Sequence, residues 1–260
     1  MLMGPPGAGW GGIRMVSPPP AWHEKRALPA IPSAADMNPD SPDDPLDPWA
    51  GDAAESDHTL ARRELGEALR GVLEVLQSTD ADAEHLRAAA AHARALTGVL
   101  AERTRERPES PHVSGMGDFM DRGPVTGRAN PIAPPFRLWP DAEARVARGE
   151  GRFGSAYEGG PGLAHGGFVA AVLDEALGMA TIFSGGPGMT GELTIRYRRP
   201  TPLHRDLTVE ARLDSQSGRR LAMSGELRVD DEVVAEATGT FVSVPDTKFA
   251  EFDDRRRRDR

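Results

Sequence analysis

The chain has 260 residues, a formal net charge of -9 at pH 7 and no cysteine. The lack of cysteine excludes disulfides, thiolate metal ligands and cysteine nucleophiles. The acidic charge disfavours nonspecific binding to nucleic acids, which depends on cationic contacts to phosphate. The sequence shows neither a secretory signal nor a run of about 18 apolar residues that would indicate a membrane span. We therefore expect a soluble, cytoplasmic protein that binds neither nucleic acid nor a membrane.

The N-terminal half predicts three regions. Eleven of the 23 prolines precede residue 50, and residues 1–55 are predicted to be disordered because they have too few apolar residues to form a core. Residues 56–105 predict a helical hairpin, whose second helix can be capped by Thr79 or Asp80. Two such helices bury little apolar surface, so we expect them to pack on the following domain or on a second subunit. Residues 106–130 predict a linker. The apolar residues at helical spacing are Leu65, Leu69, Val72, Leu73, Leu76, Leu86, Ala89, Ala93, Leu96 and Leu100.

The C-terminal half changes to a strand pattern. Residues 145–153 are a first candidate strand, and alternating apolar residues with short turns between them predict further antiparallel strands. These further candidates are residues 192–197, 207–213, 221–229 and 233–242. Residues 166–183 are apolar around nearly the whole helical circumference, which is typical of a buried helix. Residues 131–246 therefore predict an α+β domain in which an antiparallel sheet wraps around a central helix, and residues 247–260 predict a solvated charged tail.

The central helix contains two neighbouring carboxylates, Asp174 and Glu175. An ionised carboxylate in apolar surroundings costs several kcal/mol, so it persists where it is paired, hydrated or functional. The pair could mark a solvent-facing or interface turn, or it could include a catalytic group. The preceding His165, Gly166 and Gly167 place an imidazole and unobstructed backbone amides at a helix N-terminus, which is the geometry of an oxyanion hole.

The spacing between these two features predicts a dimer. Asp174 lies nine residues after His165, which is about 13 Å along a helix axis. One helix cannot easily direct both groups at one carbonyl carbon. A two-fold dimer could do so by setting the loop of one subunit against the helix of the other.

Two runs of sequence resemble the hotdog-fold thioesterases of the phenylacetate-pathway (PaaI-like) type. They are YEGGPGLAHGGFVAAVLDEALG at residues 157–178 and GMTGELTIRYRRPTPL at residues 188–203. The resemblance covers about residues 130–245 of the chain. It implies a hotdog fold and the hydrolysis of an acyl-CoA thioester to free acid and CoA, without a cofactor or a metal.

The resemblance also implies residue roles. Asp174 takes the place of the catalytic carboxylate, which acts as a nucleophile or as a general base. The Gly166 amide stabilises the oxyanion, His165 orients or polarises the carbonyl, and Thr190 helps to position the water. Glu175 is expected to support the site or an interface.

Substrate contacts are expected beside these groups. Gly167 and Phe168 border the loop, and Arg198 and Arg199 are candidates for the phosphates of CoA because guanidinium groups match phosphate oxygens. Some relatives carry an Asn about six residues before the histidine, where this chain has Gly159. That departure bears on how water is positioned.

Other function classes remain open. A noncatalytic acyl-CoA binding module could use the same fold. A related hydratase would carry a histidine on or near the central helix, and residues 166–183 contain none. A serine hydrolase would need a G-x-S-x-G motif, which is missing from the sequence. We therefore expect an acyl-CoA thioesterase that forms a homodimer or a dimer of dimers with its active site at the subunit interface, and the pattern leaves the acyl group open.

Overall fold

A computed structural model describes residues 56–103 and 120–244. The predictions made for residues 1–55, 106–119 and 247–260 lie outside the described residues. Two helices precede the sheet domain, α1 (Asp57–Ser78) and α2 (Ala83–Ala101).

The second helix is capped by Asp82. Its carboxylate accepts hydrogen bonds of 3.0 and 2.9 Å from the backbone N–H groups two and three residues ahead. The proposed caps Thr79 and Asp80 are therefore wrong, because α2 begins at Ala83, beyond the reach of either. An N-cap carboxylate pairs two amides that the helix cannot satisfy itself, and this fixes where α2 starts.

Helix α1 contacts the following domain through a mainly polar face. This face consists of Arg63, Gly66, Arg70 and Glu74, which recur at helical spacing. Of the apolar residues predicted to make the contact, Leu65, Leu69 and Leu73 are half-buried, whereas Val72 and Leu76 keep 60% and 54% of their surface accessible. No residue of α2 is buried within the described part of the chain.

Eight strands and a third helix are described in the rest of the chain. They are β1 (Phe136–Asp141), β2 (Val146–Gly151), β3 (Glu158–Gly160), β4 (Leu163–Ala164), α3 (Gly166–Ala180), β5 (Gly188–Tyr197), β6 (Leu207–Ser217), β7 (Arg220–Val229) and β8 (Glu232–Ser243). Six strands form one antiparallel sheet in the order β1-β2-β6-β7-β8-β5, and β3 and β4 form a small hairpin. The prediction of an antiparallel sheet around a central helix is confirmed.

Two features of the sheet were not predicted. Strand β1 carries Pro140 and little alternation, so its sequence does not indicate a strand, yet it pairs with β2 over six residue pairs. Strand β5 does not pair with β6, which follows it in sequence, but with β8 at the end of the sheet. Strand β5 therefore forms an edge of the sheet, on the side of α3 that carries the candidate residues.

The core lies between α3 and the concave face of the sheet. Six residues of α3 are buried there: Val169, Val172, Leu173, Ala176, Leu177 and Ala180. The expectation that this helix is apolar and buried all round is wrong on one side, where Phe168 remains 37% exposed. Because α3 and the short 3-10 turn after it are apolar, Gly166–Ser184 is the one described segment long and apolar enough to cross a membrane, but the core helix of a soluble protein meets the same criterion.

Strand β5 forms one edge of the sheet. A β-bulge between Thr190 and Glu192 interrupts its pairing with β8, and its other edge has no partner in residues 56–103 and 120–244. Met189 and Tyr197, near its two ends, are 48% and 52% exposed. This strand runs beside α3 and, as the next section describes, contacts the helix at both ends.

Candidate active site

The carboxylate of Asp174 is held by the edge strand. Thr190 donates a hydrogen bond of 2.9 Å from its Oγ1 to Oδ1 of Asp174. The β-bulge directly after Thr190 lies where the strand changes register with β8, and bulges commonly redirect side chains at functional sites. The sequence-predicted pair of carboxylate and hydroxyl is therefore brought together, with the second oxygen of Asp174 left without a protein donor in the described residues.

The N-terminus of α3 is capped by an imidazole. Nδ1 of His165 accepts a hydrogen bond of 3.0 Å from the backbone N–H of Gly167. An accepting Nδ1 carries no proton, so the geometry assigns the ring proton of neutral His165 to Nε2. The ring thus offers an Nε2–H donor at the surface of the site.

The two glycine amides of the loop differ. The Gly167 N–H is used by the histidine cap, whereas the Gly166 N–H has no acceptor within residues 56–103 and 120–244. An unpaired amide at the first position of a helix attracts negative charge, helped by the helix dipole. Of the two amides, that of Gly166 is therefore the one available to an oxyanion.

Tyr197 fixes the position of Gly166 from the other end of β5. Its hydroxyl donates a hydrogen bond of 2.7 Å to the Gly166 carbonyl. The sequence predicts that Tyr197 shares a face with Leu193 and Ile195, but nothing in the pattern shows that its hydroxyl reaches the loop. Strand β5 therefore contacts α3 at the carboxylate through Thr190 and at the helix start through Tyr197.

The loop before His165 needs glycine at position 159. A Cβ atom on Gly159 would lie 2.6 Å from the backbone Cα of His165, closer than real contacts allow. The small hairpin of β3 and β4 turns at Gly162, which has a φ of +72°, and leads straight into the histidine. An asparagine at position 159, as in some relatives, would require this loop to move.

The proposed substrate contacts are distributed over two regions. Phe168 packs edge-on against the buried ring of Tyr157, with 5.0 Å between ring centroids, and lies close to the loop. Arg198 and Arg199 instead pair with glutamates of β8 at 2.8 and 2.6 Å. Both arginine side chains are exposed and follow directly after β5, and their guanidinium groups keep further N–H donors.

Glu175 points away from the hydrogen-bonded pair of Asp174 and Thr190. Its Oε1 accepts a hydrogen bond of 3.3 Å from the hydroxyl of Thr126, which is buried. Burial raises the pKa of Glu175, the Thr126 bond opposes this effect, and the neighbouring charge of Asp174 adds to it. Glu175 therefore faces the segment before β1 and supports the packing of α3.

Within residues 56–103 and 120–244, no three His, Asp or Glu side chains lie close enough to hold a metal ion. The groups gathered on one side of α3 are a carboxylate, a hydroxyl that orients it, a free amide and an imidazole N–H. The carboxylate can activate water or attack a carbonyl, and the amide and imidazole at the start of α3 can stabilise an oxyanion.

Comparison with known proteins identifies the family. A family model described as "Thioesterase superfamily" matches residues 161–236. A thioesterase superfamily protein of known crystal structure is 32% identical with a TM-score of 0.64, and the match covers 74% of this chain and 92% of that chain. This chain belongs to the thioesterase superfamily. The hotdog fold predicted from the sequence is thereby confirmed.

Curated relatives of this thioesterase superfamily member are acyl-coenzyme A thioesterases. THEM4 from Bos taurus is 40% identical over 97 residues, which are 36% of this chain and 40% of the relative. THEM5 from Homo sapiens is 32% identical over 93 residues, covering 35% of this chain and 38% of the relative. The matched segment thus spans about two fifths of the length of these relatives.

Proposed function

We propose that this chain is an acyl-CoA thioesterase that hydrolyses an acyl-CoA thioester to a free acid and CoA. One observation carries the proposal: strand β5 holds the Asp174 carboxylate through Thr190 and the helix start through Tyr197, on the same side of α3. The names of the curated relatives, acyl-coenzyme A thioesterases, support the same activity. The two arginines after β5 remain candidates for the phosphates of CoA.

The chemistry follows from the groups present. Asp174, oriented by Thr190, either removes a proton from the attacking water or attacks the thioester carbonyl itself. The carbonyl oxygen becomes an oxyanion, which the Gly166 N–H and the dipole of α3 stabilise, while the Nε2–H of His165 polarises the carbonyl. The C–S bond then breaks, and CoA leaves as a thiolate. If water is the nucleophile, the free acid forms in this step; if Asp174 attacks, a mixed anhydride forms on its carboxylate, and water must hydrolyse this anhydride to release the acid.

We further propose a homodimer, or a dimer of dimers, with active sites between subunits. About 13 Å of helix separates the loop from Asp174 in one chain, so a second copy is needed to bring a loop and a carboxylate together. The unpaired edge of β5, with exposed Met189 and Tyr197, is the surface that supports this pairing. An unpaired strand edge readily accepts a second strand.

Thiol release from a panel of short, long and aromatic acyl-CoAs tests the activity. The wild type should turn over at least one substrate, and Asp174→Asn should lower kcat by about 100-fold or more, because an amide cannot act as a base or as a nucleophile. Size-exclusion chromatography with light scattering checks that the variant keeps its fold and oligomeric state. Binding of acyl-CoA without turnover by the wild type would reject the enzyme and favour a noncatalytic binding module.

The proposal that two subunits share each active site can be tested by removing the backbone N–H of Gly166. Gly166→Pro deletes the free N–H at a helix position that tolerates proline, so kcat should fall about 10²- to 10³-fold. Gly166→Ala is the matched control, since it adds a Cβ beside Tyr197 but keeps the N–H.

Mixed subunits then distinguish a shared site from a site within one chain. If each site uses the loop of one subunit and the carboxylate of the other, mixing equal amounts of Asp174→Asn and Gly166→Pro subunits restores about a quarter of the sites. No recovery after verified subunit exchange would place each site within one chain. A cytoplasmic location stays a prediction that cell fractionation would test.

A further inference from the structure

A second group of polar side chains joins α1 to the loop that precedes the active site. Glu74 of α1 accepts hydrogen bonds through Oε1 from the backbone N–H of Ser155 at 3.0 Å and from its hydroxyl at 2.8 Å. Its Oε2 accepts a weaker one from the Ala156 N–H at 3.4 Å. Nε2 of His204 lies 3.2 Å from the Ser155 hydroxyl.

Ser155, His204 and Glu74 are the residue types of a hydrolytic triad, but they are not arranged as in a triad. In a triad the serine proton goes to the imidazole, and the carboxylate contacts the far ring nitrogen. Here the Ser155 hydroxyl donates to Glu74 itself, and Nδ1 of His204 is 3.8 Å from the same carboxylate oxygen. Glu74 therefore caps the N-terminus of the short 3-10 helix Ser155–Tyr157, a structural use of a carboxylate.

This capped turn leads directly to the active-site loop. Tyr157 ends the 3-10 helix, and its carbonyl accepts a hydrogen bond of 2.8 Å from the N–H of His165. The ring of Tyr157 is buried and packs edge-on against Phe168. A displacement of the turn would thus move the histidine cap and the first turn of α3.

We propose that Glu74 is a positioning residue that makes helix α1 part of the active-site scaffold, by fixing the turn that holds His165 and Phe168. The inference rests on the proposed thioesterase function and adds to it a residue outside the sheet domain. Glu74 contacts neither the carboxylate nor the free amide of the site. It acts through the hydrogen bonds that it accepts from the backbone of Ser155 and Ala156 and from the Ser155 hydroxyl.

Helix α1 is itself held firmly enough to serve as a scaffold. Gly66 lies so close to the chain at residue 129 that a Cβ atom would be 2.9 Å from the Ala129 carbonyl carbon. The guanidinium group of Arg70 donates to the carbonyl oxygens of Arg128 and Asn130, both at 3.0 Å. The match to the thioesterase superfamily protein of known crystal structure covers 74% of this chain. Residues 104–260 make up less than that share, so the structural similarity extends into the region of these helices.

The lowered pKa of Glu74 indicates that the capping carboxylate is ionised. Burial by itself would raise this pKa, but the hydrogen bonds from Ser155 and Ala156, together with the His204 ring, lower it below its ordinary value. The carboxylate therefore stays charged at neutral pH, where it accepts these hydrogen bonds most strongly.

Replacing Glu74 tests the proposal in the full-length protein. Glu74→Ala should lower kcat about 10- to 100-fold with little change in KM, because a misplaced site loses rate rather than affinity. Glu74→Gln keeps one acceptor oxygen and should recover part of the loss. Glu67→Ala is the matched control, since Glu67 is an exposed glutamate of the same helix and should leave kcat unchanged.

Gly154 offers an independent perturbation from the other side of the contact. A Cβ atom on Gly154 would collide with the Glu74 carboxylate and displace it. Gly154→Ala should therefore lower kcat in the wild type but have little further effect in Glu74→Ala, because the carboxylate is already gone. Additive losses in the double variant would contradict the proposed path.

Hydrogen–deuterium exchange gives a readout that does not depend on turnover. Glu74→Ala should increase exchange in a peptide spanning residues 155–168, which includes the His165 N–H, and Glu67→Ala should not. Unchanged exchange, or equal kcat in the two alanine variants, would overturn the proposal. A wild type without thioesterase activity but with this exchange pattern would reject the proposed function and retain the positioning role.

Discussion

The hydrogen bond between Thr190 and Asp174 allows a quantitative prediction. Thr190→Val removes the hydroxyl and keeps the shape of the side chain, so the change is confined to one hydrogen bond of 2.9 Å. A hydrogen bond to a charged group contributes about 1.5–3 kcal/mol, and each 1.4 kcal/mol is about tenfold in rate. Because the contact is exposed in the single chain, we expect the lower part of this range, a fall in kcat of about 10- to 30-fold.

Steady-state thiol release from the best acyl-CoA substrate measures this effect. Thr190→Ser restores the hydroxyl and should recover most of the rate. Thr194→Val is the control for a β-branched change on the same exposed strand, and it should stay within twofold of the wild type. If Thr190→Val also stays within twofold, or if Thr190→Ser is equally slow, the hydroxyl does not orient the carboxylate during turnover.

Two further predictions concern the loop and the central helix. Gly159→Ala should lower kcat at least about tenfold, because its Cβ displaces the backbone of His165. The control Gly160→Ala adds a Cβ with no neighbour within 4 Å and should leave kcat unchanged. Equal activity in the two variants would contradict the steric reasoning. For Glu175, burial raises the folded-state pKa above its ordinary value of 4.5, so the folded state retains a proton that the unfolded chain releases, and stability falls as pH rises above 4.5. Glu175→Gln should therefore unfold at a higher temperature than the wild type at pH 8, by about 2–4 °C for each kcal/mol gained in the free energy of unfolding. Thermal denaturation at several pH values should show this difference shrinking as the pH approaches 4.5. A difference that does not depend on pH would refute the prediction.

The parts of the site that could be predicted from the sequence lie close together in the chain. His165, Gly166 and Asp174 fall within one helix and its cap, so their spacing alone determines how they are placed along the axis. Thr190 could be added only through the family resemblance, since the contact with Asp174 spans 16 residues and depends on strand β5 lying beside α3. The amide of Gly167 shows the limit of such predictions, because the pattern does not reveal that the histidine ring uses it.

The contributions that could not be predicted come from contacts between distant parts of the chain. Apolar spacing did not reveal the polar contacts of α1: Val72 is exposed, whereas the charged Glu74 reaches a turn 81 residues ahead. Hydrophobic periodicity identifies a docking face only where burial of apolar surface drives the contact, and here paired charges and backbone hydrogen bonds do so. The free energy that such a contact contributes depends on whether distant hydrogen-bond donors and acceptors become paired. The local sequence pattern does not show this pairing. A helix that buries little apolar surface can for that reason still determine where a catalytic loop lies.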